Sequence, residues 1–156
     1  MGFYFYSACR FLIVFSKAST AVDTISPSES LTDSMTLVSS EGNFVLGFFS
    51  PGTSRNSYLG NWFNNIPMHT VVWVANRINP INDSSGSLKI ETSGRIVLQV
   101  QNTTAVWSTN TTASVQNPVL QLLDSGNLVV RDRNDSNQDN YLWQSFDYPA
   151  DTNYQG

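Results

Sequence analysis

The chain has 156 residues, a formal net charge of −4, 40% hydrophobic residues and only 13% charged residues. This composition is typical of one globular, β-rich domain rather than a disordered chain, and the absence of a basic excess excludes a nucleic-acid binder. The only cysteine, Cys9, and the only histidine, His69, provide too few ligands and nucleophiles for a zinc site or for Cys–His or Ser–His catalysis.

The amino terminus has the features of a signal peptide. Residues 1–21 are apolar and lack acidic residues, and Ser19-Thr20-Ala21 places small residues at the −3 and −1 positions of a cleavage site. Arg10 interrupts the apolar run, so an uncleaved membrane anchor is the alternative to cleavage after Ala21. The segment is too short and too broken for a convincing membrane span, and we expect a secreted, extracellular chain.

Short apolar runs bounded by Gly, Pro and Asn follow an extended polar lead-in at 22–35. No window shows a helical period once the amino terminus is set aside, so the pattern predicts one all-β domain. The family resemblance given below covers 22–152 and leaves a short tail at 153–156. The predicted strands are 36–39, 43–49, 57–63, 70–76, 87–91, 95–100, 105–108, 119–123, 127–131 and 141–145.

One hairpin pattern recurs in "TLVSSEGNFVLGF" (36–48), "LKIETSGRIVLQV" (88–100) and "LLDSGNLVVRD" (122–132). When the copies are aligned on Gly42, Gly94 and Gly126, a Val lies three residues after each Gly, and apolar residues lie four before, two after and four after it. Each copy predicts a strand, a tight turn with Gly at positive φ, and a second strand.

A tryptophan follows each hairpin. Trp73, Trp107 and Trp143 are separated by 34 and 36 residues. Three repeated units in a chain of this length predict a closed threefold arrangement in which the three tryptophans meet near the axis and fill the core.

Five motifs together resemble the bulb-type lectin domain of plant S-locus glycoproteins and S-domain receptor-like kinases. They are "LVSSEGNFVLGFFSPG" (37–52), "YLGNWFNNIP" (58–67), "TVVWVANR" (70–77), "LLDSGNLVVRD" (122–132) and "LWQSFDYPADT" (142–152). The resemblance implies the β-prism II fold, with three four-stranded antiparallel sheets about a pseudo-threefold axis. It also implies recognition and signalling roles, including pollen recognition, with any kinase activity in a separate part of the protein. Because "NYQG" departs from the usual continuation, the chain resembles a truncated product.

The resemblance further implies a mannose motif, Gln-x-Asp-x-Asn-x-Val-x-Tyr, in each unit. Its register falls on Ser39, Glu41, Asn43, Val45 and Gly47, on Glu91, Ser93, Arg95, Val97 and Gln99, and on Leu123, Ser125, Asn127, Val129 and Arg131. Every Gln and every Tyr is replaced, which predicts degraded mannose sites. The remaining candidate carbohydrate-binding residues are Glu41, Asn43, Val45, Asn127 and Val129.

The function expected from these features is recognition of a peptide or protein ligand, or of another receptor ectodomain, without catalysis and without a cofactor. Candidate contacts are the loop 53–67, with Tyr58, Trp62 and Phe63, and the charged loop 131–140. The carboxylate pairs Asp132/Asp135 and Asp147/Asp151 are assigned to solvated loops. Two alternatives stay open, namely a glycan-binding lectin with a rebuilt site and a non-functional truncated fragment. Four Asn-x-Ser/Thr sequons mark candidate N-glycosylation sites at Asn82, Asn102, Asn110 and Asn134.

Overall fold

The computed structural model describes residues 21–67, 70–111 and 113–149. The predicted tail, His69 and the predicted signal peptide, apart from Ala21, lie outside these residues. The ten predicted strands are all present, with ends that differ by at most two residues. The strands are β1 (Thr24–Ile25), β2 (Ser30–Thr32), β3 (Leu37–Val38), β4 (Phe44–Phe49), β5 (Tyr58–Phe63), β6 (Val71–Val74), β7 (Gly86–Ile90), β8 (Ile96–Val100), β9 (Thr104–Ser108), β10 (Pro118–Leu122), β11 (Leu128–Asp132) and β12 (Trp143–Gln144), with 3₁₀ turns at Gln138–Asn140 and Ser145–Asp147.

The strands form three four-stranded sheets, as predicted. The first sheet has the order β3-β4-β5-β6, the second β2-β7-β8-β9 and the third β1-β10-β11-β12. Strand neighbours pair antiparallel wherever their register is defined. Each sheet therefore ends in the strand that carries its tryptophan, and these three edges converge.

The polar lead-in contributes two strands that the sequence pattern did not predict. β1 pairs with β10 of the third sheet, and β2 pairs with β7 of the second. Ile25 and Leu31 are buried in the core, but each strand is only two or three residues long. A single apolar residue between polar neighbours is too weak a pattern to predict a strand, because the pairing partners lie far away in the sequence.

The three glycine hairpins are not equivalent in the fold, although their sequences align. The Gly94 and Gly126 hairpins join the second and third strands of their sheets, whereas the Gly42 hairpin joins the first and second strands. The equivalent connection in the first sheet is the loop between β4 and β5. The predicted register of the first unit is therefore wrong by one strand, because local hairpin chemistry is the same wherever a hairpin lies in a sheet.

The third strands β5, β8 and β11 show the true correspondence. Their first core residues donate a backbone N–H to a side chain that follows the tryptophan of the same sheet: Leu59 to Asn76, Ile96 to Thr109 and Leu128 to Ser145, at 2.8 to 3.0 Å. A register shift lies between Asn61 and Trp62 in β5 and between Leu98 and Gln99 in β8. Trp62 thus corresponds to Gln99 of the second sheet and to Arg131 of the third.

The core lies between the inner faces of the three sheets. It is built mainly of leucine and isoleucine, including Leu46, Leu88 and Leu120, which are fully buried. Asn61 is the polar exception on an inner face, where its Nδ2 donates to the Gly126 carbonyl at 2.6 Å and so joins the first sheet to the third. Close packing of this kind leaves the outer faces and the Trp edges as the surfaces available to a ligand.

Candidate functional site

Asn127 lies at a mannose-type position of the third sheet, but its amide is used by the framework. It is only 6% exposed. Its Nδ2 donates to Gln144 Oε1 at 2.9 Å, and its Oδ1 accepts from Ser145 Oγ and from the Phe146 N–H, both at 3.2 Å. With donor and acceptor engaged, Asn127 fastens β11 to the last strand and the 3₁₀ turn that follows.

Arg131 replaces the motif tyrosine on the same outer face and is also engaged internally. Its Nε donates to Gln121 Oε1 at 2.7 Å, and its Nη1 donates to the carbonyl oxygens of Asp132 and Arg133 at 2.9 and 3.1 Å. Gln121 in turn donates to Asp23 Oδ2 at 2.9 Å. Val129, beside this chain of hydrogen bonds, is fully buried, so the two candidates of the third sheet present little to a sugar.

The second sheet shows the same internal bonding with different residues. Arg95 Nη2 donates to Ser108 Oγ at 2.9 Å, the pair that corresponds to Asn127 and Gln144. Arg95 also forms a half-exposed ion pair with Glu91 at 3.9 Å, which contributes little to stability. Val97 is buried.

Glu41, Asn43 and Val45, the candidates of the first unit, belong to the Gly42 hairpin and not to the equivalent of the other two sites. The backbone N–H of Glu41 and the Ser40 hydroxyl both donate to the Asp124 carboxylate at 2.8 Å. These two hydrogen bonds hold the pKa of Asp124 below its ordinary value, since they favour the ionised form. The hairpin therefore joins the first sheet to the turn before Gly126.

The outer face of the first sheet is aromatic at the positions that correspond to the motif. Tyr58 and Trp62 lie on this face of β5, and Phe49 lies between them on β4, with ring centroids 5.9 Å from Tyr58 and 6.1 Å from Trp62. Two glycines make room for the rings, because an added Cβ would lie 3.1 Å from the Trp62 ring at Gly47 and 2.9 Å from the Phe49 ring at Gly60. We call Phe49, Tyr58 and Trp62 with these two glycines the aromatic face.

Phe63, the third aromatic candidate of the loop 53–67, lies elsewhere. Its ring packs on Phe44 at a centroid distance of 4.7 Å, and it is 37% exposed. Sequence reasoning therefore identified two of the three aromatic residues of the aromatic face and missed Phe49. The signal for Phe49 was its alternation with Gly47 along β4, which places both on one face of the strand.

The charged loop 131–140 is folded tightly on itself. The Asn137 N–H and the Asn140 side-chain amide donate to Asp135 at 2.9 and 2.8 Å, and these hydrogen bonds lower the pKa of Asp135. The Asn134 N–H donates to Asp132 at 2.9 Å, so both carboxylates stabilise turns. Across the described part of the chain, no three His, Cys, Asp or Glu residues are grouped to hold a metal ion, and Asp151 lies outside it.

The three tryptophans meet where the Trp-bearing edges converge. Their ring centroids lie 5.7, 5.8 and 6.1 Å apart in edge-to-face contact, a favourable geometry for aromatic rings. Trp73 and Trp143 are buried and Trp107 is half-buried, while Tyr148 stacks on Trp143 at 5.9 Å. An open cavity of about 680 Å³ lies beside the three rings, and we call it the Trp-end cavity.

Comparison with known proteins relates this chain to one family. The family model described as D-mannose binding lectin matches residues 70–156. Receptor-like serine/threonine-protein kinase SD1-8 of Arabidopsis thaliana is 50% identical over 145 residues, which cover 90% of this chain and 17% of that protein. S-locus-specific glycoprotein S6 of Brassica oleracea is 42% identical over 146 residues, which cover 91% of this chain and 33% of that protein.

Solved structures have the same fold at low sequence identity. A monomeric mannose-binding lectin from Gastrodia elata aligns with a TM-score of 0.58 at 22% identity, covering 86% of this chain and 99% of that one. The mannose-specific agglutinin of snowdrop (Galanthus nivalis) bulbs aligns with a TM-score of 0.54 at 18% identity, covering 74% and 94%.

The three sheets and their tryptophan core define a β-prism II domain of the bulb-lectin class, as predicted. The chain belongs to the bulb-type lectin family, as a lectin domain of the kind found in plant S-domain receptor-like kinases and S-locus glycoproteins. The kinase relatives match it only through this lectin part, since the chain spans about a sixth of their length. Among the described residues, no helix has the length and apolarity needed to cross a membrane.

Proposed function

We propose that this domain is an extracellular recognition module that binds a peptide or protein ligand through the aromatic face of its first sheet. In this proposal it performs no catalysis and does not bind mannose at the positions of the family motif. The proposal rests on what occupies the motif positions in the three sheets. Two sheets use their polar groups internally, and the first sheet replaces them with aromatic rings and glycine.

A mannose site needs side-chain donors and acceptors that are free to meet sugar hydroxyls. Asn127 and Arg131 already have partners within the domain, and Gly60 has no side chain. A millimolar site has only about 4 kcal/mol of binding free energy, and each missing hydrogen bond removes about 1 kcal/mol. Losing several of them therefore leaves no useful affinity for mannose.

The aromatic face has the composition of a protein-binding surface. Tyrosine, tryptophan and phenylalanine are enriched at interfaces, where they bury large areas at a small cost in side-chain entropy. Phe49, Tyr58 and Trp62 are half-buried, held by each other and by the glycine backbone beneath them. The rings are thus fixed in position before a ligand arrives, which lowers the entropy lost on binding.

In an extracellular domain, glycans at the four sequons would leave the aromatic face open. Asn82, Asn102, Asn110 and Asn134 are all exposed, and none lies on a strand of the first sheet. N-linked glycans at these residues would start from loops and turns outside β3–β6. The signal-peptide pattern and the similarity to S-locus glycoprotein S6 favour the same location.

The test compares one variant of the aromatic face with a matched position on another sheet. The full chain is produced as a secreted protein, titrated with D-mannose and a glycan array, and then screened against plant peptides and receptor ectodomains. We expect no saturable mannose binding, and we expect Trp62→Ala to weaken the peptide or protein complex at least ~10-fold. Gln99→Ala, the corresponding position of the second sheet, should leave the affinity unchanged.

Each contrary result has a defined meaning. Saturable, sugar-competed binding would contradict the proposal and make this domain a glycan-binding lectin. Equal losses of affinity in Trp62→Ala and Gln99→Ala would show that the ligand does not bind at the aromatic face. A chain that cannot be recovered folded would favour the non-functional fragment.

A further inference from the structure

The Trp-end cavity combines an apolar floor with a polar rim. The three tryptophans of the core line it. Arg77 and the exposed Asn79 and Asn110 also line it and supply its polar groups. Its volume of about 680 Å³ falls in the range of ~300–1,000 Å³ that small-ligand sites occupy. Aromatic surface beside amide and guanidinium groups suits a pyranose ring, whose C–H face is apolar and whose substituents form hydrogen bonds.

Asn110 places a glycosylation acceptor on the rim of this cavity. It begins the sequon Asn110-Thr111-Thr112 and follows Trp107 by three residues. Its side chain is exposed and makes no hydrogen bond to any described residue. Asn82, Asn102 and Asn134, the other sequon asparagines, do not line the cavity within the described part of the chain.

We propose that an N-linked glycan on Asn110 folds back over the Trp-end cavity, with its first N-acetylglucosamine packed against Trp107. In the attachment step, the Asn110 amide nitrogen bonds to the anomeric carbon of a lipid-linked diphospho-oligosaccharide. The C–O bond to the diphosphate breaks, its electron pair stays with the diphosphate, and one amide proton is released. The inference rests on the extracellular location in the proposed function.

In this arrangement the glycan, which is covalently attached to Asn110, shields the half-buried Trp107 from solvent. The tether makes packing intramolecular, which raises the effective concentration of the sugar at the indole.

The full chain is expressed with uniform high-mannose glycans, and glycopeptide mass spectrometry measures occupancy at each sequon. One sample is then trimmed with endoglycosidase H, which leaves a single N-acetylglucosamine, and another is stripped with peptide-N-glycosidase F. We expect Asn110 to be occupied and the trimmed protein to keep the Tm of the untreated one. Complete removal should lower Tm by about 3 °C and shift tryptophan emission to longer wavelength.

Two variants assign the effect to one glycan. Asn110→Gln should reproduce the loss of Tm and the emission shift without any enzyme, whereas Asn134→Gln, a matched sequon outside the cavity, should change neither. If Asn110 is unoccupied while the other sequons are occupied, the inference is overturned and the proposed function is unaffected. If no sequon carries a glycan, the result also counts against the extracellular location. An occupied Asn110 whose complete deglycosylation changes neither readout would overturn it too.

Discussion

Asn127 occupies a position where the family motif binds sugar, yet its hydrogen bonds are directed into the protein. Its amide links β11 to Gln144, Ser145 and Phe146. Asn43, at the corresponding place in the sequence repeat, makes no side-chain hydrogen bond to any described residue. The two asparagines look alike in sequence and differ in the structure because only Asn127 directly precedes a strand that pairs with the Trp-bearing edge strand of its sheet.

We expect Asn127→Ala to lower the free energy of unfolding by about 1–3 kcal/mol, since the buried Ser145 hydroxyl, the Gln144 side chain and the Phe146 N–H each lose a hydrogen bond. Asn43→Ala should change it by less than ~0.5 kcal/mol. Urea denaturation of the two variants and the parent chain measures both values. Equal effects would mean that the hydrogen bonds of the Asn127 side chain contribute nothing to the free energy of unfolding.

At the scale of elements, the hairpins show how one local pattern serves different places in a fold. Gly42 and Gly126 have nearly the same positive φ, +80° and +85°. The turn at Gly42 is open, with no atom within 4 Å of an added Cβ, whereas a Cβ at Gly126 would lie 2.7 Å from the Phe44 ring. An alanine at either position would therefore be strained by the positive φ, but only an alanine at Gly126 would also clash with a neighbouring side chain.

Gly42→Ala should lower the free energy of unfolding by about 1–2 kcal/mol, which is the cost of positive φ for an L residue. Gly126→Ala should lose about 1–3 kcal/mol more, because Phe44 must move or the turn must open. Chemical denaturation of the pair isolates the steric part, since the strain cancels in the difference. Matching losses would show that Phe44 yields without cost.

At the scale of the whole molecule, Asp124 joins two sheets across their turns. It accepts the Ser40 hydroxyl and the Glu41 N–H at 2.8 Å, and these bonds depress its pKa in the folded state. A carboxylate with a depressed pKa stabilises the fold above its ordinary pKa of 3.8. That contribution is lost as pH falls through the lower, folded value.

The Tm of Asp124→Asn should therefore lie furthest below that of the parent chain at neutral pH, and the gap should narrow as pH falls below 3.8. Thermal unfolding followed by circular dichroism from neutral to strongly acidic pH measures the gap. Asp33→Asn provides the control, because Asp33 is exposed and accepts no hydrogen bond from a described residue. A gap for Asp124→Asn that is constant with pH would exclude the ionised carboxylate as the link between the sheets.

The sequence by itself determined the strands, the tight turns and the threefold tryptophan pattern. Alternating apolar residues, glycine at positive φ and a Trp after each hairpin are local signals, and they act within a few residues. They were sufficient to predict ten of the twelve described strands and a closed threefold arrangement in which Trp73, Trp107 and Trp143 meet, whereas the three four-stranded sheets were implied by the resemblance to bulb-type lectin domains.

Only the tertiary structure decided where these units lie and which polar groups remain free. Pairing of β1 and β2 with distant strands depends on contacts far apart in the sequence, and so does the displacement of the Gly42 hairpin by one strand. Neighbours across the sheet decide which hydrogen bonds Asn127 and Arg131 form. They also decide how Phe49 and Trp62 pack over two glycines. Hydrogen bonding and packing are satisfied by whichever groups come into contact, and the folded chain alone brings those groups together.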